Sequence, residues 1–122
     1  MQAVAWEQME SDQVNDKITR QMTNGASSTI ARLVMKRDGF VPRHSHPNEQ
    51  ITTVLEGLFK LTFDDGEAVL QPGQVIVIPP NVPHAGRALE DSIVVDFFSP
   101  RREDWIRKED SYFRAGGAAP QK

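Results

Sequence analysis

The segment Gly57–Ile78, GLFKLTFDDGEAVLQPGQVIVI, decides the fold. Phe59, Leu61 and Phe63 fall on one face of an extended chain, Lys60 and Thr62 on the other, the two-residue period of a half-buried strand. Asp64-Asp65-Gly66 is a tight-turn signal, so Glu67–Leu70 reads as the return arm of a hairpin. Gln71-Pro72-Gly73-Gln74 then sets proline second and glycine third in a turn, the type II requirement. Val75–Ile78 follows as an aliphatic run, read as a fully buried strand that Pro79 stops.

Outward from there the pattern repeats. Gln50–Leu55 (QITTVL) is rich in β-branched residues and ends at Glu56-Gly57, while residues 30–35 (IARLVM) close at Arg37-Asp38-Gly39. Ser92–Ser99 (SIVVDFFS) is the last clear strand. Turn signals recur at short intervals with no helical stripe between them, which predicts an all-β sandwich or barrel over residues 29–100. Residues 1–28 are expected to form an amino-terminal arm, polar and irregular over 7–24. One short strand near Ala3–Trp6 would lie at a sheet edge or exchange with a second copy. Residues 101–115 carry Trp105 and Ile106 as apolar anchors among charges, which predicts a short helical segment packed outside the barrel. Residues 116–122 read as a flexible tail.

The chain's 122 residues make one ordinary domain, large enough to bury a core without covalent staples. Cysteine is absent, which excludes disulfides, thiolate metal sites and a cysteine nucleophile and fits a reducing, cytoplasmic setting. Fourteen basic and seventeen acidic residues give a net charge of −3 with no basic block, so no nucleic-acid partner is expected. No apolar run is long enough to span a bilayer, and MQAVAWEQME lacks the apolar core of a signal peptide, so neither a membrane partner nor a leader is expected.

The chain has only three histidines, and their placement carries the chemistry. His44 and His46 are two apart, so on an extended backbone both imidazoles project from one face; Gln50 shares that parity and Glu49 does not. His84 follows Pro79-Pro80-Asn81-Val82-Pro83, a stiff loop able to aim a side chain. Three neutral imidazoles and one amide oxygen make a shell for a divalent transition metal with positions left open for water or substrate. With no anionic ligand the ion keeps its full charge, which favours polarisation over redox chemistry and leaves nickel, zinc, iron and manganese open. Asp96 stands inside an otherwise apolar strand and shares parity with Phe98. A carboxylate there is either poised in the barrel with a raised pKa or paired with Arg102 at the rim, and the residues alone leave both readings open.

Gly39-(x)4-His44-x-His46-(x)3-Gln50-(x)6-Gly57 resembles the first cupin motif, and Gly73-(x)5-Pro79-x-Asn81-(x)2-His84 the second. The first motif usually has glutamate where Gln50 stands and one more residue before its first histidine. The second usually has glycine at Asn81 and asparagine where Ala88 stands; Asn81 is a natural substitute, because asparagine also tolerates a left-handed backbone. The resemblance implies a single-domain jelly-roll, or double-stranded β-helix, barrel.

The stretches HPNEQITTVLEG, IPPNVPH, ALED and DFFSPRREDWI further resemble the small pectin-degradation cupins of the KdgF family. That family converts 4,5-unsaturated uronates, the products of pectate and alginate lyases, into linear keto-deoxyuronates. The resemblance implies His44, His46, Gln50 and His84 as metal ligands and Asp96, Phe98 and Arg102 as catalytic residues. Asp96 would be the general acid/base, Arg102 the carboxylate clamp and Phe98 the apolar wall of the site. It also implies a small anionic sugar as substrate and, by analogy, a homodimer. Two other classes compete: a metal-dependent dioxygenase, and a non-catalytic cupin that binds a small ligand. An Asp96 that faces the cavity counts against the last, because a passive binder gains little from burying an acid. Trp6, Trp105 and Tyr112 read as packing or interface anchors.

Overall fold

The computed structural model describes residues 1–114 and the backbone of 117–118. Its strands are Asp12–Gln13 (β1), Ile18–Asn24 (β2), Thr29–Met35 (β3), Gly39–His44 (β4), Glu49–Glu56 (β5), Phe59–Phe63 (β6), Gly66–Leu70 (β7), Val75–Ile78 (β8), His84–Ala88 (β9), Ser92–Ser99 (β10) and Gly117–Ala118 (β11). Two short helices, Glu103–Ile106 (α1) and Ser111–Arg114 (α2), follow β10. All pairings are antiparallel, in a six-stranded sheet ordered β1-β2-β3-β10-β5-β8 and a five-stranded sheet ordered β11-β4-β9-β6-β7. This is the expected all-β jelly roll.

Alternation builds the core. Ala31, Leu33 and Met35 of β3 face inward with Ser92, Val94, Asp96 and Phe98 of β10 and Gln50, Thr52 and Val54 of β5. Phe59, Leu61, Gly86 and Ala88 meet them from the other sheet. Burying each large apolar side chain contributes roughly 1.5–3 kcal/mol. Gly86 is required by this packing, since a Cβ there would lie 2.6 Å from the Phe59 ring. Gly57 has φ of +92°, and a Cβ would lie 2.3 Å from the Asp91 carbonyl oxygen and the Ser92 hydroxyl. The Asp64-Asp65-Gly66 and Pro72-Gly73 turns lie where expected.

Several expectations need correction. Residues 18–24 are a strand of the large sheet rather than irregular arm, and Trp6–Gln8 is a single 3-10 turn with no strand near Ala3–Trp6. The inward residue Arg20 disguises β2. Buried, it meets Asp12 and Asp110 at 3.2 and 2.9 Å and stacks on Trp105 at 4.2 Å, so its charge is balanced where an aliphatic residue is expected. β8 is not fully buried: it is a sheet edge with Val75 61% and Val77 54% exposed, while Ile78 is buried and Ile76 packs partly buried against the core.

The segment after Pro100 does not pack outside the barrel. Trp105 and Phe113 are 2% and 3% exposed, seated ring to edge at 5.3 Å and, through Trp105, on Phe98 at 5.1 Å. Trp105 and Phe113 therefore close one end of the barrel, whereas Ile106, the other expected anchor, is exposed. The expected tail, 116–122, lies outside the described residues apart from Gly117–Ala118, whose backbone pairs with Phe40 and Gly39 of β4. Among the described residues no helix is long and apolar enough to cross a membrane.

Candidate metal centre

The site forms where the two sheets approach. His44 ends β4 directly opposite His84, which begins β9 rather than ending a loop. His46 lies just beyond β4; its carbonyl accepts the Asn81 N–H at 2.8 Å, and Asn81 takes φ of 66°, the left-handed backbone its position demands. The facing sheet supplies Gln50, opposite Phe98, and Thr52, opposite Asp96. Asn48, buried in the turn after His46, donates through its side chain to the Pro100 and Arg101 carbonyls at 2.6 and 3.2 Å, fixing that turn to the end of β10.

His44, His46 and His84 each offer one nitrogen, and the three lie within 4.8 Å of one another. Every Nδ1 faces a backbone carbonyl: Pro42 at 2.7 Å for His44, Asn48 at 3.1 Å for His46 and Val82 at 2.8 Å for His84. A carbonyl only accepts, so Nδ1 carries the proton and Nε2 presents a lone pair. Burial keeps all three rings neutral, pushing His44 down to about 3, His46 to about 4 and His84 in the same direction. For His44 and His46, like-charge neighbours including Arg102 add to that shift.

Two observations show that these residues fit a metal ion. The His84 Nε2 is buried with no hydrogen-bond partner among the described residues, an arrangement that is costly without something to bind. The His46 ring lies between two oxygens, Asn48 O at 3.1 Å and Gln50 Oε1 at 3.0 Å. A neutral imidazole has one proton, so one of the two oxygens must face a lone pair. A cation between Nε2 and Oε1 relieves that repulsion.

Gln50 is oriented from behind. Its amide donates to the Thr52 hydroxyl at 2.9 Å and to Asp96 Oδ1 at 3.3 Å, and the Thr52 hydroxyl donates to the same carboxylate oxygen at 2.6 Å. With its nitrogen held there, the amide turns its oxygen to the histidines. Asp96 faces the barrel interior; burial pushes its carboxyl up to about 6, against the opposing pull of Thr52, the Arg102 charge and Gln50. The rim pairing of Asp96 with Arg102 is not found. The Arg102 guanidinium is 1% exposed and grips Asp104 through Nε at 2.9 Å and Nη2 at 2.8 Å. Burial works against its charge, but the hydrogen bonds and charges of Asp104 and Tyr112 together outweigh it and Arg102 stays protonated.

Arg102 also differs from the expected open clamp. Nη2 donates to the Tyr112 hydroxyl at 2.5 Å, and only Nη1 lacks a hydrogen bond to a described residue. Its Cζ sits 4.6 Å from the Phe98 ring, which also meets His46 at 5.6 Å and Trp105 at 5.1 Å. Tyr112, expected to be a packing anchor, lies over His44 with ring centroids 4.7 Å apart and also accepts the Trp105 indole N–H at 3.3 Å. Glu49 is exposed and takes no part. Arg43 pairs with Asp64 on the surface, and Arg32 with Gln21. The cavity bounded by His44, Gln50, His84, Asp96, Phe98 and Arg102 has a volume of about 20 Å³, room for one water.

Thr52, Asn48 and Tyr112 escape a reading for ligands. Thr52 had a usable signal, since it shares parity with Gln50 one step along the strand. Tyr112 had none, because only the fold of the C-terminal segment brings it to His44.

Residues 31–99 match the cupin domain family. KdgF from Halomonas sp. is similar in structure with a TM-score of 0.76 at 29% identity, over 81% of this chain and 94% of that one. An RmlC-like cupin from Shewanella frigidimarina gives 0.78 at 28% identity, over 84% and 93%. Oxalate decarboxylase from Bacillus subtilis, which has Mn(II) centres, shares the fold at 13% identity and a TM-score of 0.71, over 80% of this chain and 29% of its own. No curated protein matches the chain in sequence.

Proposed function

This chain belongs to the cupin family, and on that premise we propose that it is a metal-dependent enzyme that opens 4,5-unsaturated uronates to linear keto-deoxyuronates. The observation that carries the reading is Asp96: an acid buried in the barrel, unpaired with any cation among the described residues, hydrogen-bonded to Gln50. A passive binding module has no use for so costly a group. Similarity to KdgF supports the substrate class.

The substrate is a cyclic enol ether bearing a carboxylate. Asp96 in its acid form delivers a proton to C4, which leaves positive character on C5 next to the ring oxygen. Water adds at C5 and returns its proton to the Asp96 carboxylate. The C5 hydroxyl of the resulting hemiketal gives up its proton as the C5–O bond breaks and the ring oxygen takes one up. This gives the ketone and a hydrated C1 that loses water to the free aldehyde, so the water added is returned and the net change is an isomerisation. A divalent metal held by His44, His46, Gln50 and His84 supplies Lewis-acid polarisation and an anchor for sugar oxygens. Arg102 balances the substrate carboxylate, and Phe98 walls the apolar side of the ring. A cytoplasmic setting and a second copy of the chain as partner complete the proposal.

Mixing metal-loaded protein with lyase-generated unsaturated galacturonate tests it. Loss of the conjugated ultraviolet absorbance faster than the spontaneous rate is the expected result. Oxygen uptake without that loss would replace the reading with a dioxygenase, and neither signal would favour a binding protein. Asp96→Asn is expected to cut turnover by about 100-fold or more while metal content is unchanged. Full activity in that variant removes Asp96 from the role.

A further inference from the structure

We infer that α2 is a gate over the metal centre, and that the Tyr112 hydroxyl holds on Arg102 the place a ligand carboxylate takes when the gate opens. The inference rests on the proposed reading of Arg102 as an anion site, and it names what controls entry to that site.

Size makes a gate necessary. Small-molecule pockets are on the order of 300 Å³ or more, whereas the cavity beside the histidines holds about 20 Å³. His84, Asp96 and Arg102 are 3%, 5% and 1% exposed, so no sugar ring reaches them in this arrangement. The covering group is Tyr112, with its ring over His44 and its hydroxyl on Arg102 Nη2 and Trp105 Nε1. Tyr112 lies beyond residues 31–99, the part of the chain that the family pattern covers.

The fastenings of α2 are of two kinds. Phe113 is packed against Trp105 in the barrel end and anchors the segment. Asp110, just before α2, is likewise buried and is held by the buried Arg20 of β2 at 2.9 Å. Arg114, by contrast, ties the far end of α2 to β1 through a partly exposed pair with Asp12 at 2.7 Å, a kind of contact that contributes little and breaks readily. The Tyr112 contact selects what opens the gate. A phenol is a neutral acceptor, and a carboxylate makes a stronger, charge-assisted bond to a guanidinium. An acid therefore has a driving force to displace Tyr112 that the corresponding neutral sugar lacks, and the gate becomes a filter for anions.

Galacturonate, which is saturated and cannot be opened by the proposed chemistry, is the probe, with galactose as its neutral counterpart. Binding is read by calorimetry on the metal-loaded protein, and opening by amide hydrogen exchange across residues 111–114. Galacturonate is expected to bind and to speed that exchange, and galactose to do neither. Tyr112→Phe, which keeps the ring and removes the competing hydroxyl, is expected to bind galacturonate about tenfold more tightly, as the loss of one hydrogen bond to a charged group implies. Arg114→Gln, remote from the histidines, is expected to raise the exchange rate of 111–114 without any ligand. Unchanged affinity in Tyr112→Phe, equal responses to the two sugars, or no galacturonate binding to either protein overturns the gate. None of these readouts needs turnover, so a protein that shows them but fails to open unsaturated uronates would keep the gate and lose only the proposed reaction.

Discussion

Gln50 is the residue at which metal binding and acid chemistry meet. One end of its amide looks at the His46 Nε2 and the other at Asp96, so a change on either side is felt on the other. Thr52 holds that arrangement without touching a histidine nitrogen, through hydrogen bonds to both Gln50 and Asp96. Thr52→Val keeps the shape and removes the hydroxyl. It is expected to weaken binding of a divalent probe such as Co²⁺ by roughly tenfold or more, the usual effect of losing a group that orients a ligand, as followed by spectroscopic titration. Unaltered affinity would show that Gln50 needs no such support. The opposite substitution in charge, Gln50→Glu, would set a second carboxyl beside Asp96, where two acids resist joint ionisation. It is expected to retain metal, checked by elemental analysis, and to lose most of the turnover.

At the scale of strands and turns, legibility followed how plainly the period-two pattern was written. β6, β7 and β10 were readable because aliphatic or aromatic residues occupy most inward positions, and Asp96, the one charge among them, announced itself as out of place. β2 was not readable because its inward Arg20 is compensated by acids far off in sequence, and β9 (HAGRA) because its inward residues include a glycine chosen to admit the Phe59 ring. β8 looked buried because its residues are all aliphatic, and hydropathy alone does not distinguish a core strand from an apolar edge. His44-x-His46 and His84 were legible as a set, whereas the C-terminal closure depended on rings that meet only after folding. Gly57, at the β5–β6 turn, tests the backbone reading: Gly57→Ala should cost roughly 2–4 kcal/mol, the sum of strain at positive φ and a clash with Asp91 and Ser92, read from urea denaturation. The latch between β1 and α2 has a pH signature. The Arg114 hydrogen bond, reinforced by the Arg114 and Arg20 charges, outweighs burial and holds Asp12 below its ordinary value of 3.8. A carboxyl depressed in the folded state adds stability that is present above its unfolded value and lost as pH falls through the folded one. The melting temperature of Asp12→Asn should therefore lie below that of the unaltered protein at neutral pH and converge with it in acid; a constant gap at all pH values would exclude the ion pair as its source.

For the whole molecule, the outer face of the large sheet calls for a partner. Cross-strand register aligns Ile30, Phe97, Ile51 and Val77 in one row across β3, β10, β5 and β8, and Val95, Thr53 and Val75 beside it. Ile30 and Phe97 are each 38% exposed, at the middle of the sheet rather than its margin. An apolar face this continuous on an otherwise charged domain is the kind of surface that docks. A second copy is the proposed occupant because the charge pattern is self-complementary. Arg32 lies on one side of the row, opposite Val95, and Glu49 on the other, opposite Ser99, so a two-fold axis along the row would bring each toward the side that carries its opposite on the other copy. The face lies opposite to the histidine cavity, so pairing there leaves the gate free to move. Phe97→Glu places a charge at the centre of the row. It is expected to convert a dimer to a monomer in sedimentation velocity at micromolar concentration, with the far-ultraviolet circular dichroism of the sheets unchanged. A monomer in the unaltered protein, or a dimer that survives both Phe97→Glu and Val77→Glu, would leave that row without the partner assigned to it and move the interface to another surface.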